Sequence, residues 1–296
     1  AEFEEIKKRC GANRGILNVS GCMESQKVHL MYGLSGLFPC HLILADDERN
    51  AKEIYEDYRF YDKNVYFYPA KDLLFFQADI HGNLLIRQRM RVIRALLEQE
   101  EVTVVTSIDG CMDFLMPLEK IRSRLLHFKS DSVIDLDQLK ADLVDLGYER
   151  VGQVELPGQF SVRGGIIDIY PLTEENPWRI ELWDDEIDSI RSFDAESQRS
   201  LENLDEIMIY PAAEQPIEKG EVTFIDYFKD GDSMLFLDEL NHLEENAKAV
   251  EEEFQQSCRN RQEKGETTLS GNWMCSWEEL CKKLNGRNCI GLSLLD

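Results

Sequence analysis

The most regular alternation of apolar and polar residues in this chain runs from Pro157 to Ser200. The alternating stretches are short, and Gly, Pro and Asp-Asp pairs separate them. A period of two predicts strands with one buried face, and the turn residues predict tight hairpins between them. We therefore expect a small antiparallel sheet whose second face is half solvated.

The same alternation assigns side chains to the two faces of this sheet. If Phe160 and Ile180 point into the core, then Arg163, Arg179 and Trp183 point away from it. Arg and Trp are enriched among the residues that dominate interface energies. The three outward residues are therefore candidate partner-binding residues. The alternative is that a neighbouring helix of the same domain covers Trp183.

Outside this stretch, continuous apolar runs alternate with segments of helical period. The apolar runs are rich in Val, Ile and Leu and lie at 16–19, 39–45, 65–68, 102–106 and 234–237. Buried strands that alternate with helices predict a parallel sheet covered on both faces, which is an α/β architecture.

Changes in composition divide the chain into three segments. Asp135 is a candidate cap for a helix that Gly147 ends, and this helix leads directly into the antiparallel sheet. We therefore predict a small inserted α+β domain at 127–210. The two parts of the α/β domain that it interrupts are 1–126 and 211–296.

The chain is strongly acidic, with 33 basic and 57 acidic residues and a formal charge of −24. Such a surface repels phosphate backbones, so autonomous binding to nucleic acid is not expected. The densest basic run is Arg87, Arg89, Arg91 and Arg94, within a helix with an apolar stripe. These arginines are most simply its solvated face, and the alternative is a phosphate-binding role.

The eight cysteines are dispersed and form no C-x-x-C pair, which favours a reducing cytoplasmic location over a disulfide scaffold. Cys275, Cys281 and Cys289 are separated by six and eight positions, which matches no common zinc pattern, so we expect no metal site. No apolar run is long enough to span a membrane, and no secretory leader is recognisable.

A predicted strand, loop and helix near the start of the chain have the layout of a phosphate-binding loop. Gly21 and Lys27 fall on the register of G-x-x-x-x-G-K-[ST], but Gln26 replaces the second Gly and Val28 replaces the hydroxyl residue. The second Gly lets the backbone close around phosphate, and the hydroxyl holds Mg²⁺. We therefore predict a degenerate loop, with no nucleotide or other cofactor bound.

Asp238 and Glu239 directly follow the predicted strand at 234–237. Nucleotide enzymes place Mg²⁺-holding and water-activating carboxylates at such a strand end. The alternative is that Asp238 only caps a helix from 239 to 256. If the loop around Lys27 has decayed, the two acids are relics of the same site.

A family resemblance rests on the residues of the alternating stretch. The runs GQFSVRGGIIDIYP at 158–171, DDEIDSIR at 184–191 and SQR at 197–199 resemble the second domain of the UvrB family. The likeness is greatest to the amino-terminal module of the bacterial transcription-repair coupling factors, the Mfd family. The degenerate loop favours this family, and so does the segment Pro69–Gly82, which is too short for the aromatic hairpin of UvrB.

The resemblance implies a RecA-like (P-loop NTPase-like) domain with a degenerate nucleotide loop, interrupted by a small α+β domain that docks UvrA without catalysis. Arg163, Arg179 and Trp183 fall on the family's partner-facing positions, although one Mfd carries Phe where this chain has Trp183. An ATP-dependent DNA translocase motor, with contacts to RNA polymerase and double-stranded DNA, would lie beyond residue 296.

Two rival hypotheses remain. The chain could be a UvrB-like, nucleotide-dependent DNA repair helicase subunit that acts through Lys27, Asp238 and Glu239. It could also bind DNA directly through its arginine-rich helix.

Overall fold

The computed structural model describes residues 2–10, 15–71, 82–214, 217, 220–264 and 273–294. Its helices are α1 (Glu2–Cys10), α2 (Glu24–Ser35), α3 (Glu48–Tyr58), α4 (Gly82–Glu98), α5 (Leu118–Arg124), α6 (Leu136–Asp145), α7 (Leu240–Glu263) and α8 (Trp277–Leu284). Its strands are β1 (Gly15–Ser20), β2 (Cys40–Ala45), β3 (Val65–Tyr68), β4 (Val102–Ser107), β5 (Leu126–Lys129), β6 (Glu149–Arg150), β7 (Gln159–Arg163), β8 (Ile166–Ile169), β9 (Trp178–Trp183), β10 (Glu186–Phe193), β11 (Ser200–Asn203), β12 (Glu206–Ile209), β13 (Ser233–Asp238) and β14 (Asn288–Ser293).

The chain divides into two compact units. The α/β unit comprises Ala1–Gln77, Ala95–Pro117 and Pro216–Asp296, and the α+β unit comprises Ala78–Arg94 and Leu118–Gln215. Among the described helices, none has the length and apolar character that crossing a membrane requires.

The α/β unit is built on a six-stranded sheet in the order β1-β14-β13-β2-β4-β3, in which every pairing is parallel. Strands β4 and β13 are buried at every position, as strands covered on both faces must be. On helix α3, Asp47 caps the first turn by accepting from the Asn50 N–H, and Ala51 and Ile54 pack into the core. The predicted α/β fold with a parallel sheet is therefore confirmed.

The α+β unit contains a six-stranded sheet in the order β11-β10-β9-β8-β7-β6, antiparallel except at the β6–β7 edge. Phe160 and Ile180 point into its core and are fully buried, as the alternation predicts. Asp135 caps helix α6. Gly147 follows the end of that helix at φ +90°, and a Cβ there would lie 2.4 Å from the Ala213 Cβ, so this position requires glycine.

The arginine-rich helix α4 departs from the expected solvated face. Arg89 is fully buried, and its Nε donates to Glu214 Oε1 at 2.8 Å. Arg87 donates to the Glu174 backbone carbonyl, and Arg94 pairs with the Glu174 carboxylate. Arg91 is exposed. The expectation is wrong for Arg89, because this arginine lies on the inward-packing side of the helix, where Glu214 pairs with its charge.

The last third of the chain departs from prediction in one more respect. Helix α7 continues to Glu263, past the end at 256 that the sequence indicates. Residues 265–272 lie outside the described residues, as does most of the segment Pro69–Gly82. The apolar run near the end of the chain forms β14, which is buried at its four central positions.

Candidate partner-binding site

A buried carboxylate organises the outer face of the α+β sheet. Register places Asp168 on β8 directly opposite Ser161 on β7 and Arg179 on β9. The Asp168 residue is 1% exposed. Its Oδ1 accepts from Arg179 Nε at 2.7 Å, and its Oδ2 accepts from Arg179 Nη2 at 2.8 Å and from Arg163 Nη2 at 3.0 Å. Two arginines thus satisfy one buried charge.

Arg179 is the more enclosed of the two arginines, with 13% of its side chain exposed. Its Nη2 also donates to Gln198 Oε1 at 2.9 Å, and its guanidinium lies 4.3 Å from the Phe193 ring centroid. The hydrogen bonds to Asp168 raise the pKa of Arg179 above its usual value. This side chain is locked in place by its own sheet.

Arg163 has a different environment. Nearly half of its side chain (49%) is exposed, and its one described hydrogen bond goes to Asp168. A guanidinium has five N–H donors in a rigid fork, so Arg163 keeps donors for a second carboxylate. Arg163 and Arg179 therefore differ in how much of each could contact a partner.

Trp183 lies at the end of β9, opposite Glu186 in the hairpin, and the turn between them holds Asp184 at φ +59°. The tryptophan is 80% exposed. Among the described residues no helix covers it, so the alternative reading of Trp183 as a covered residue is wrong. An exposed indole at a hairpin tip is a flat apolar surface that a partner can bury.

A second ion pair lies between Arg179 and Trp183 along β9. Glu181 accepts from Arg191 Nη2 at 2.5 Å and Nη1 at 3.0 Å, and from Ser189 Oγ at 3.2 Å. The hydrogen bond from Arg191 lowers the pKa of Glu181 below its usual value. Sequence reasoning missed both this pair and Asp168. A lone carboxylate among the isoleucines of β8 was the available signal, because a charge there needs a partner.

Lys27, in the loop and helix that follow β1, belongs to a closed charge cluster in the α/β unit. Lys27 is buried, and its Nζ lies 2.7 Å from Asp238 Oδ1 and 2.6 Å from Glu239 Oε1. Burial alone would lower the pKa of Lys27, but the hydrogen bonds to the two acids outweigh it, and the pKa is raised. Asp238 Oδ2 accepts from Asn50 Nδ2 at 2.8 Å. Helix α7 begins at Leu240, so Glu239 and not Asp238 stands at its cap position, and the described hydrogen bonds of Asp238 go to Lys27 and Asn50.

The structure also shows what Gln26 and Val28, the two residues that depart from the loop motif, do instead. The Gln26 side chain turns back to accept from the Met23 backbone N–H at 3.1 Å. Val28 is buried in the core of the α/β unit. The motif has a hydroxyl residue at this position, whose oxygen holds Mg²⁺, and a valine has no such oxygen. The structure thus brings Lys27, Asp238 and Glu239 together, and it places the apolar Val28 at the hydroxyl position of the motif.

Comparison with known proteins adds independent findings. Residues 126–214 match the family model of the UvrB interaction domain. The transcription-repair-coupling factor of Bacillus subtilis (strain 168) is 38% identical over 218 residues, which is 69% of this chain and 18% of that protein. The transcription-repair-coupling factor of Staphylococcus aureus (strain MRSA252) is 36% identical over 163 residues, covering 55% of this chain and 14% of that protein.

The chain spans less than a fifth of the length of these relatives. The matched family segment contains the outer sheet face with Arg163, Asp168, Arg179 and Trp183. The resemblance found in the sequence is therefore confirmed: this chain carries a UvrB interaction domain at residues 126–214 and is related to the transcription-repair coupling factors, the Mfd family.

Proposed function

We propose that this chain is a non-catalytic docking module that binds UvrA and so recruits nucleotide excision repair to stalled RNA polymerase. The observation that carries the proposal is that the match to the UvrB interaction domain falls on the sheet that exposes Trp183. The similarity to transcription-repair-coupling factors supports the wider role. RNA polymerase and double-stranded DNA would be bound by the rest of an ATP-dependent translocase.

Within this surface, Arg163, Arg179 and Trp183 have different roles. Trp183 is the apolar anchor, and Arg163 offers a half-exposed guanidinium to an acidic group of UvrA. Arg179 acts through Asp168, because it holds the carboxylate that orients Arg163. Arg179 is thus a positioning residue with a small contact area of its own.

We further propose that the α/β unit descends from a RecA-like domain whose nucleotide site has decayed. The parallel sheet, the loop at Gly21–Val28 and the acids at the end of β13 support this origin. Gln26 and Val28 argue against Mg²⁺-nucleotide binding. The second candidate, a UvrB-like helicase subunit, is favoured by the proximity of Lys27 to Asp238 and Glu239. Calorimetry decides between them, since saturable micromolar ATP binding would support the second.

The affinity for purified UvrA tests the docking proposal. Trp183→Ala should weaken binding by about 2 kcal/mol, roughly thirtyfold, if the indole is a central anchor. Arg163→Ala should weaken it too. Interferometry with immobilised UvrA measures both affinities, and melting temperatures show whether each variant is folded.

Two matched controls keep the result specific. Phe60→Ala removes an aromatic residue that is 88% exposed in the α/β unit. Arg150→Ala removes an exposed arginine on β6, at a position paired with core-facing Phe160. Both controls should bind UvrA like the wild type. Unchanged affinity of both Trp183→Ala and Arg163→Ala would refute the docking surface.

A further inference from the structure

A cleft of about 800 Å³ opens in the α/β unit at the carboxyl ends of its strands. Ser20, Asp46, Asp238 and Ser293, which end or follow β1, β2, β13 and β14, contribute to its lining. Open parallel sheets bind their ligands at this edge, and the volume lies within the usual range for a binding site. The cleft is therefore a candidate binding site of the α/β unit.

The charges around this cleft, which we call the acidic cleft, disfavour a phosphate ligand. Its lining contains six carboxylates, Asp46, Asp47, Glu53, Asp57, Asp238 and Glu239, and two fixed cations, Lys27 and Arg49. Lys27 is already occupied by Asp238 and Glu239. Arg49 pairs with Glu53 at 3.1 Å in an exposed, weak bridge. The remaining negative charge attracts cations.

Aromatic side chains extend this surface beyond the acidic cleft. Tyr32 on α2 is one helical turn past the lining residue Val28, and Tyr61 is four residues past Asp57. The rings of Tyr32 and Tyr61 stack with centroids 5.2 Å apart, and both are partly exposed. We call this pair the tyrosine rim. Stacked, accessible rings are good partners for guanidinium and ammonium groups.

Cations already pack on aromatic rings elsewhere in the α/β unit. Arg59 lies 5.4 Å from the Tyr55 ring centroid, and Lys52 lies 5.7 Å from that of Phe67. The α/β unit therefore combines an acidic concavity with an accessible aromatic rim.

We propose that the acidic cleft and the tyrosine rim bind an extended arginine- and lysine-rich peptide segment of a partner protein. Its cations pair with Asp47, Glu53 and Asp57, and a flanking guanidinium stacks on the tyrosine rim. A peptide fits better than a small polyamine, because the surface has both carboxylates for cations and rings on which a guanidinium can stack. This site lies in the α/β unit and does not depend on the docking surface around Trp183.

Fluorescence anisotropy with a labelled octa-arginine peptide and the full chain tests the proposal. The variant carrying Asp47→Asn, Glu53→Gln and Asp57→Asn should bind the peptide at least about tenfold more weakly. Asn at position 47 retains a capping side chain for α3, so the fold is preserved. Tyr61→Ala should weaken binding about threefold, which reports on the tyrosine rim.

The matched control removes the same charge from the α+β unit through Glu149→Gln, Glu155→Gln and Glu196→Gln, three exposed positions. It should bind within about twofold of the wild type. If this control loses as much affinity as the cleft variant, the proposal is overturned, because peptide binding would then depend on the net charge of the chain and not on the acidic cleft. Spermidine binding as tightly as the peptide would overturn the peptide assignment, and unchanged binding in the cleft variant would overturn the site.

Discussion

At the scale of single residues, a few buried charges decide what the exposed ones can do. Asp168 has left water almost completely, so two guanidinium groups must replace its hydration. Lys27 poses the same problem with the opposite sign, and Asp238 and Glu239 solve it. In both clusters, a substitution of one partner is tolerated only if the remaining partners still hydrogen-bond and neutralise the buried charge.

Arg179→Ala should lower the free energy of unfolding by about 3 kcal/mol, because it removes two of the three arginine hydrogen bonds to a buried carboxylate. Arg163→Ala removes one bond from a half-exposed side chain and should cost under about 1 kcal/mol. Urea unfolding monitored by tryptophan fluorescence measures both. Arg199→Ala, at an exposed position, is the control. Equal losses for Arg163 and Arg179 would contradict the division of roles between them.

Lys27→Met should destabilise the chain by about 3 kcal/mol, since it leaves Asp238 and Glu239 facing each other without a cation. Adding Asp238→Asn should restore part of the loss, and the double-mutant cycle measures the coupling. The pKa of Lys27 is raised, so its contribution is fully present below the ordinary value of 10.5 and disappears as pH rises through the folded value. The loss should therefore be the same from neutral pH to about 9; a loss that shrinks across this range would count against the cluster.

Residue-scale prediction from sequence succeeded for orientation and failed for pairing. Strand parity placed Arg163, Arg179 and Trp183 on one face, because a period of two is a local property. Which residues lie across from Asp168 depends on the register of β8 against β7 and β9. The neighbours of Glu181 depend on β10, which shifts its register against β9 between Ile187 and Ser189. No local pattern encodes such a shift.

At the scale of elements, helix α4 shows that a charged residue is not always on the solvated face of a helix. Its apolar stripe was recognised, since Met90 and Ile93 are buried. Arg89 was placed in solvent because charged side chains are seldom buried without partners. The partner, Glu214, lies 125 positions away in the chain and could not be anticipated. Helix α7 shows the converse: its last turns are polar, and without an apolar stripe no pattern predicts helix beyond 256.

Arg89→Met should destabilise the α+β unit by about 3 kcal/mol, because Glu214 loses a buried cation that a thioether cannot replace. Arg91→Met, at an exposed position two residues along the same helix, should be nearly neutral. Thermal unfolding followed by circular dichroism compares the two variants. A neutral Arg89→Met would mean that the ion pair contributes no more than a well-packed apolar side chain would.

At the scale of the whole molecule, composition and fold class were predictable, while the assembly of the sheet was not. Runs of Val, Ile and Leu between helices require a covered parallel sheet. Strand β1 pairs with β14, the last of the described strands. Because these strands are far apart in the chain, no local sequence pattern predicts their pairing. The domain boundaries at 127 and 210 stay predictions.

The balance of charge over the whole chain makes a prediction about nucleic acid. With a formal charge of −24, the chain should bind duplex DNA more weakly than about 10⁻⁴ M at physiological salt. The arginine-rich helix does not change this expectation, because Arg87 and Arg94 bind Glu174 and Arg89 binds Glu214. Anisotropy of a labelled duplex at two salt concentrations measures the affinity. Arg91→Ala should leave it unchanged, whereas tight binding that this substitution abolishes would restore the hypothesis of direct DNA contact through α4.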